Sequence, residues 1–237
     1  MPLTHSAAYD MTLTAPHARS MWQAMAVDYM WDDHDFGPND SDGTSPSRLA
    51  AISSYSRAVP VLSPLPSGSC SPQTGEIFHS FSWGRCCFRY FNVSAMPFLL
   101  VTHVCFDCSV LVIRMDLRSQ KFPEKSSVMS ICQMNWLKQQ FSQCAAYDLV
   151  ILVSSFNWIG QPEGKLYGWT EFAADRQAIA NAIESNQCTD KLILLAGDAH
   201  MLAFDDGANS NYASTGSSGS KGFPVVRLCC HCFAVHA

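Results

Sequence analysis

Residues 148–154, DLVILVS, and 191–196, KLILLA, decide the fold. Each is a short continuous apolar run, the pattern expected of a strand buried on both faces of a parallel sheet. Between them, residues 170–183 read as a helix with Phe172, Arg176, Ile179 and Ile183 along one side. Strand–helix–strand order predicts an α/β fold whose strand-end loops carry the chemistry. The second strand ends at Gly197-Asp198-Ala199-His200. Upstream, 129–141 reads as a helix on the spacing of Trp136, Leu137, Gln140 and Phe141, and 110–117 and 76–83 read as strands. Residues 7–26 read as a helix interrupted at Pro16, followed by a short strand over 27–30. That strand delivers WDDHDFGPNDSD, residues 31–42, into a loop rich in Asp, Asn, Gly and Pro. Residues 60–75 and 208–222 are further loops by composition.

With 237 residues the chain is long enough for one domain with a sizeable core. A hydrophobic content of 48% against 15% charged residues excludes a highly charged disordered chain. The formal net charge of −5 gives no electrostatic reason to expect nucleic acid or an anionic membrane. Attraction for a phosphate group would have to come from local cations, and bound metal is the obvious source. The longest apolar stretch, 95–113, contains His103 and Asp107, with Pro97 near its start. A charge at the bilayer centre costs roughly 2.5–3.5 kcal/mol, so no clear membrane span is read there. Residues 1–26 lack the basic start and compact apolar run of a secretory signal, and nothing assigns a compartment. The eleven cysteines do not show the spacing of a small disulfide framework and read as reduced, mostly buried thiols. A structural zinc site from Cys105, Cys108, Cys229, Cys230, His231 and Cys232 is a competing reading, although these residues flank no compact finger.

Two segments carry chemistry. One is Asp32-Asp33-His34-Asp35, and the other is the strand-end Gly197-Asp198-Ala199-His200. Carboxylates and imidazole are natural ligands for a di-metal hydrolase centre, in which two ions clamp a phosphoryl group and acidify a water. A neighbouring imidazole can protonate the departing alkoxide. Read singly, the first segment is equally an acidic surface turn and the second a common Gly-Asp turn. One on each of two strand-end loops makes a metal site as good a reading as two unrelated turns.

WDDHDFGPNDSD resembles the WDDHD-type signature of PhoD-like phosphatases, the alkaline phosphatase D family. Further matches follow in the family's order: FSWGR (81–85), MDLRS (115–119, a D-x-R-S element), QMNWLKQQF (133–141), GWTEFAADRQAI (168–179), LLAGDAHMLAFDDG (194–207) and GFPV (222–225). They run from about residue 7 to residue 226 with one large gap. The resemblance implies a metallophosphoesterase-like sandwich of mixed β-sheets flanked by helices. It also implies hydrolysis of a phosphomonoester or phosphodiester at a two-metal centre of divalent or trivalent ions, with Ca, Mn, Fe and Zn not distinguished. On the wider metallophosphoesterase pattern, Asp33, Asp198 and His200 would be metal ligands and His34 the acid near the leaving group. Asp35 would orient His34, and Arg118 would face phosphate or form a structural pair with a carboxylate. Trp31, Trp136 and Trp169 read as core aromatics.

The chain departs from the family pattern in three places. The upstream aspartate motifs of the family are missing before Trp31, since Asp10 and Asp28 sit in neither context, so the N-terminal part is read as incomplete. An atypical insert over about 86–114 separates the WGR and D-x-R-S elements, and its apolar residues are expected to pack poorly. The tail 227–237 diverges. Residues 1–237 thus read as a partial PhoD-like domain, a truncated or mispredicted member. The competing function is a non-catalytic remnant of the family that lacks the first metal-binding motif.

Overall fold

The computed structural model describes residues 4–59, 75–86, 108–122, 124–160, 168–198, 201–214 and 221–228. Its elements are α1 (His5–Thr14), α2 (Pro16–Ala24), α3 (Asp33–Phe36), α4 (Arg48–Ala58), β1 (His79–Cys86), β2 (Cys108–Arg114), α5 (Ile131–Phe141), β3 (Leu149–Ser154), α6 (Ala173–Ser185), β4 (Leu192–Ala196), β5 (Ala203–Asp205) and β6 (Val225–Arg227).

The strands form one mixed sheet in the order β1-β2-β3-β4-β6-β5. Its centre, β2-β3-β4-β6, is parallel, and β1 and β5 are antiparallel at the two edges. The two apolar runs of the sequence are neighbours, with Val150 opposite Leu192 and Ser154 opposite Ala196. Where a two-layered sandwich of sheets was expected, the described residues hold a single sheet flanked by helices.

Both crossover helices lie on one face of that sheet. Leu111, Ile113, Val150, Leu152, Leu192, Leu194 and Val225 point to that side and join Leu137 and Phe141 of α5 and Ile179 and Ile183 of α6 in one buried cluster. The expectation that β3 and β4 are buried on both faces is therefore corrected. Burial alternates along β3, with Val150, Leu152 and Ser154 buried and Leu149, Ile151 and Val153 half-buried. The cause is the period of two along a strand, with α5 and α6 packed against one face of β3 and β4. Phe204 at the β5 edge is 70% exposed, and Trp83 on β1 is 57% exposed.

Helix boundaries follow local chemistry. The Oγ of Ser130 accepts from the N–H of Gln133 and caps α5. Pro16 lacks an N–H and cannot continue α1, so the single interrupted helix becomes two, with Pro16 at the first turn of α2. The strand expected over 27–30 does not form. The Tyr29 carbonyl accepts from the Tyr55 hydroxyl and the Arg114 guanidinium instead of a strand partner. The first strand starts at His79 rather than residue 76, because the N–H of Ile77 donates to Asp116 Oδ2 at 2.9 Å and is lost to the ladder.

Most of the expected insert, 87–107, lies outside the described residues. Its end is the strand β2, with Val110–Ile113 buried at the centre of the sheet. Cys144 and Cys188 form a disulfide that ties the chain after α5 to the chain after α6, which corrects the reduced-thiol reading for these two. No helix among the described residues is long and apolar enough to cross a membrane.

Candidate metal centre

The site is assembled from the two segments that the sequence singled out. Trp31 is buried against Phe36 and Tyr55, with ring centroids 5.1 and 4.9 Å away, and anchors the loop to a small second core. Its indole N–H donates to Asp116 Oδ1 at 3.2 Å. The next residues turn at once into the one-turn helix α3. Asp35 Oδ2 accepts from the backbone N–H of Asp32 at 3.0 Å, closing the start of that turn.

The carboxylates of Asp32, Asp33 and Asp198 offer ligand atoms that all lie within 4.8 Å of one another. Asp198 arrives from the far side, at the end of β4, in the left-handed backbone region with φ 65°. The N–H of Gly197 donates to Ser154 O at 3.1 Å, so the turn begins directly off the sheet. Thus Asp33 and Asp198, expected as ligands, are brought together. His200 lies outside the described residues, as do Cys105 and Cys229–Cys232 of the zinc reading. Among the described residues this acidic trio is the one cluster of potential ligands.

Arg118 decides the electrostatics. It is 1% exposed, and its Nε donates to Asp32 Oδ1 at 2.6 Å, while Nη2 stands 4.0 Å from Asp198 Oδ2. Burial works against the guanidinium charge, but Asp32, Asp33 and Asp198 outweigh it and hold its pKa above the ordinary value. Its Nη1 is buried and has no hydrogen-bond partner. The guanidinium also sits 4.9 Å from the centre of the Phe156 ring, and Lys121 Nζ sits 5.5 Å from the same centre.

Burial pushes the Asp32 carboxyl up to about 6, with Asp198 and Asp33 adding to the rise and Arg118 opposing it. For Asp33, burial acts upward too, but the N–H of Asp40, Arg118 and the N–H of His34 together hold it below the usual range. The Asp40 N–H bond is 2.8 Å and the His34 N–H bond 2.8 Å. Crowding therefore separates the two adjacent carboxylates, one raised and one lowered.

His34 is exposed, and Asp35 is not bound to it. The Asp35 carboxylate accepts from the Tyr29 hydroxyl and the Asp32 N–H. Asp35 thus shapes α3 and the loop instead of orienting the imidazole. Burial raises its pKa.

The D-x-R-S element positions this arrangement. Asp116 is 1% exposed and accepts from Trp31 Nε1, the N–H groups of Ile77, Arg118 and Ser119, and the Ser119 hydroxyl. Gln133 clamps its backbone from both sides, accepting from Asp116 N at 2.7 Å and donating to Asp116 O at 2.8 Å. That fixes Arg118 two residues on. Asp32 and Lys121 were missed by sequence reading. Asp32 reads only as part of the acidic segment 32–35, with no role of its own, and a buried Lys among Asp33, Asp40 and Asp42 gives no sequence signal.

The trio is a hard, all-oxygen donor set of the kind that suits divalent or trivalent cations. Arg118 neutralises part of the charge from one side. No protein-family model and no curated protein matches the chain. Among solved structures it is similar to PhoD, with a TM-score of 0.52 and 16% sequence identity over 84% of this chain and 39% of that chain. The chain spans 39% of the length of that neighbour. This likeness is one of fold.

Proposed function

We propose that the chain is a phosphoesterase domain of the PhoD-like, metallophosphoesterase type, hydrolysing a phosphomonoester or phosphodiester at a two-metal centre. The observation that carries the reading is the convergence of Asp32, Asp33 and Asp198 within 4.8 Å, from loops about 160 residues apart. The fold likeness to PhoD supports it. Asp33 and Asp198 would hold the cation, with Asp32 beside them and His200 as a further donor. The chemistry a bound cation supplies is Lewis acidity toward a phosphoryl oxygen. Arg118 keeps Asp32 in place and offers Nη1 to a phosphoryl oxygen. His34, exposed next to Asp33, delivers the proton to the departing oxygen.

The test is hydrolysis of an aryl phosphate by the full chain, with and without added manganese, calcium, zinc or iron. Metal-dependent turnover that is lost in Asp33→Asn and Asp198→Asn is expected. Absence of turnover with every metal sinks the reading.

One observation favours the second reading, a non-catalytic remnant. The Arg118 guanidinium already occupies a cation's place against Asp32. Asp28, the nearest upstream aspartate, is taken by Arg114 at 2.8 Å and His79 at 3.4 Å and adds no ligand. On that reading the chain binds at most one ion and hydrolyses nothing.

A further inference from the structure

A cavity of about 410 Å³ opens beside the acidic trio, between α1, α2, α3 and the end of α4. Its size is that of a small-molecule site. The walls are apolar and aromatic, with Tyr9, Leu13, Trp22, Val27 and Val59 among them. His34 and Asp35 form part of its lining, so the cavity and the acidic trio share α3. Among the described residues no Lys or Arg lines it. Two polar groups of the lining are buried without a hydrogen bond, Trp22 Nε1 and the Tyr9 hydroxyl.

We propose that this cavity receives the leaving alcohol of the substrate, and that the alcohol is apolar, aromatic or short alkyl. The inference rests on the phosphoesterase reading, and it names the substrate class of that same site. The phosphoryl group belongs with the carboxylates and Arg118, where a cation would be held. The alcohol points past His34 into the apolar walls. Hydrolysis exchanges the P–O bond to the alcohol for a P–O bond to the water oxygen. One water hydrogen ends on the alcohol and the other leaves as a proton or stays on the phosphate. Trp22 Nε1 and the Tyr9 hydroxyl are donors that the π face of an aromatic ring can meet and an aliphatic chain cannot. An aromatic alcohol therefore fits best.

The experiment compares 1-naphthyl phosphate with glycerol phosphate as substrates of the full chain in manganese, and measures 1-naphthol binding by calorimetry without metal. Expected are a kcat/KM at least tenfold higher for the naphthyl ester and measurable naphthol binding. Two variants at exposed positions of α1 that line the mouth, Ala8→Phe and Thr12→Phe, fill the cavity. Each should weaken naphthol binding and lower the naphthyl kcat/KM at least fivefold, with circular dichroism showing the fold retained. Equal kcat/KM for the two esters, or hydrolysis without naphthol binding, overturns the proposal and leaves the phosphoesterase reading standing. Naphthol binding with neither ester cleaved overturns the phosphoesterase reading, and the substrate assignment falls with it.

Discussion

Arg118 Nε donates to Asp32 Oδ1 at 2.6 Å across 86 residues of sequence, joining the D-x-R-S element to the acidic loop. The contact is charge-assisted and almost closed to solvent on the arginine side. It makes the acidic loop and the sheet one mechanical unit, because Arg118 is itself held by the Asp116 network.

Replacing Arg118 with Leu should therefore cost stability as well as activity. Removing one partner of a buried pair leaves the other charge uncompensated, typically a loss of about 3–5 kcal/mol. Part of the Asp32 side chain reaches solvent, so about 3 kcal/mol is expected, read by urea denaturation at pH 7. The loss should shrink at pH 5, where Asp32 is largely protonated. A pH-independent loss would mean the pair is not its origin.

Asp116→Asn should be more damaging still. The carboxylate accepts from five donors, and an amide of the same shape cannot accept from all of them. Each buried unsatisfied group costs roughly 1–3 kcal/mol, so a loss above about 4 kcal/mol is expected. Equilibrium denaturation checks it, and a loss below 1 kcal/mol would show that the network is not a structural hub.

The pH dependence of the metal-free protein follows from Asp32. Its folded pKa, about 6, lies above the ordinary 3.8. A carboxyl raised in the folded state contributes stability that is fully present below the unfolded pKa and is lost as pH rises through the folded one. Native protein should thus lose Tm between pH about 4 and 6 relative to Asp32→Asn. Metal competes with that proton, so affinity for manganese should fall as pH drops below about 6. Parallel melting curves for the two proteins across pH 4–7.5, with calorimetry at each pH, provide the check.

The disulfide between Cys144 and Cys188 closes a loop of 44 residues of sequence separation. Loop-closure entropy gives about 4 kcal/mol as an upper guide, and 2–4 kcal/mol is expected in practice. Cys188→Ser, or reduction with dithiothreitol, should lower Tm by roughly 5–15 °C. Calorimetry under oxidising and reducing conditions measures the difference, and identical Tm values would remove the bond from the stability argument.

The strands β3 and β4 were legible in the sequence because an apolar run of five or six residues bounded by turns has few alternatives. The helix α6 was legible for the same reason, from Phe172, Arg176, Ile179 and Ile183. What failed did so where a side chain from far away takes a backbone group. Tyr29 satisfies Arg114 and Tyr55, and Ile77 satisfies Asp116, and both facts are invisible to a window of ten residues. Within the site, Asp33 and Asp198 were legible as types and positions. Asp32 was not, because its role depends on Arg118. Burial on one face only came from the arrangement of α5 and α6, which periodicity does not encode.

Asp198 sits at φ 65°, where a residue with an ordinary Cβ is strained and Asp, Asn or Gly is tolerated. The position therefore filters replacements by backbone shape before chemistry is considered. Ala or Val there twists the turn and moves every neighbour with it, so loss of function in such a variant says nothing about charge. Asn keeps the turn and cancels the negative charge, and it is the substitution that isolates what this one carboxylate does.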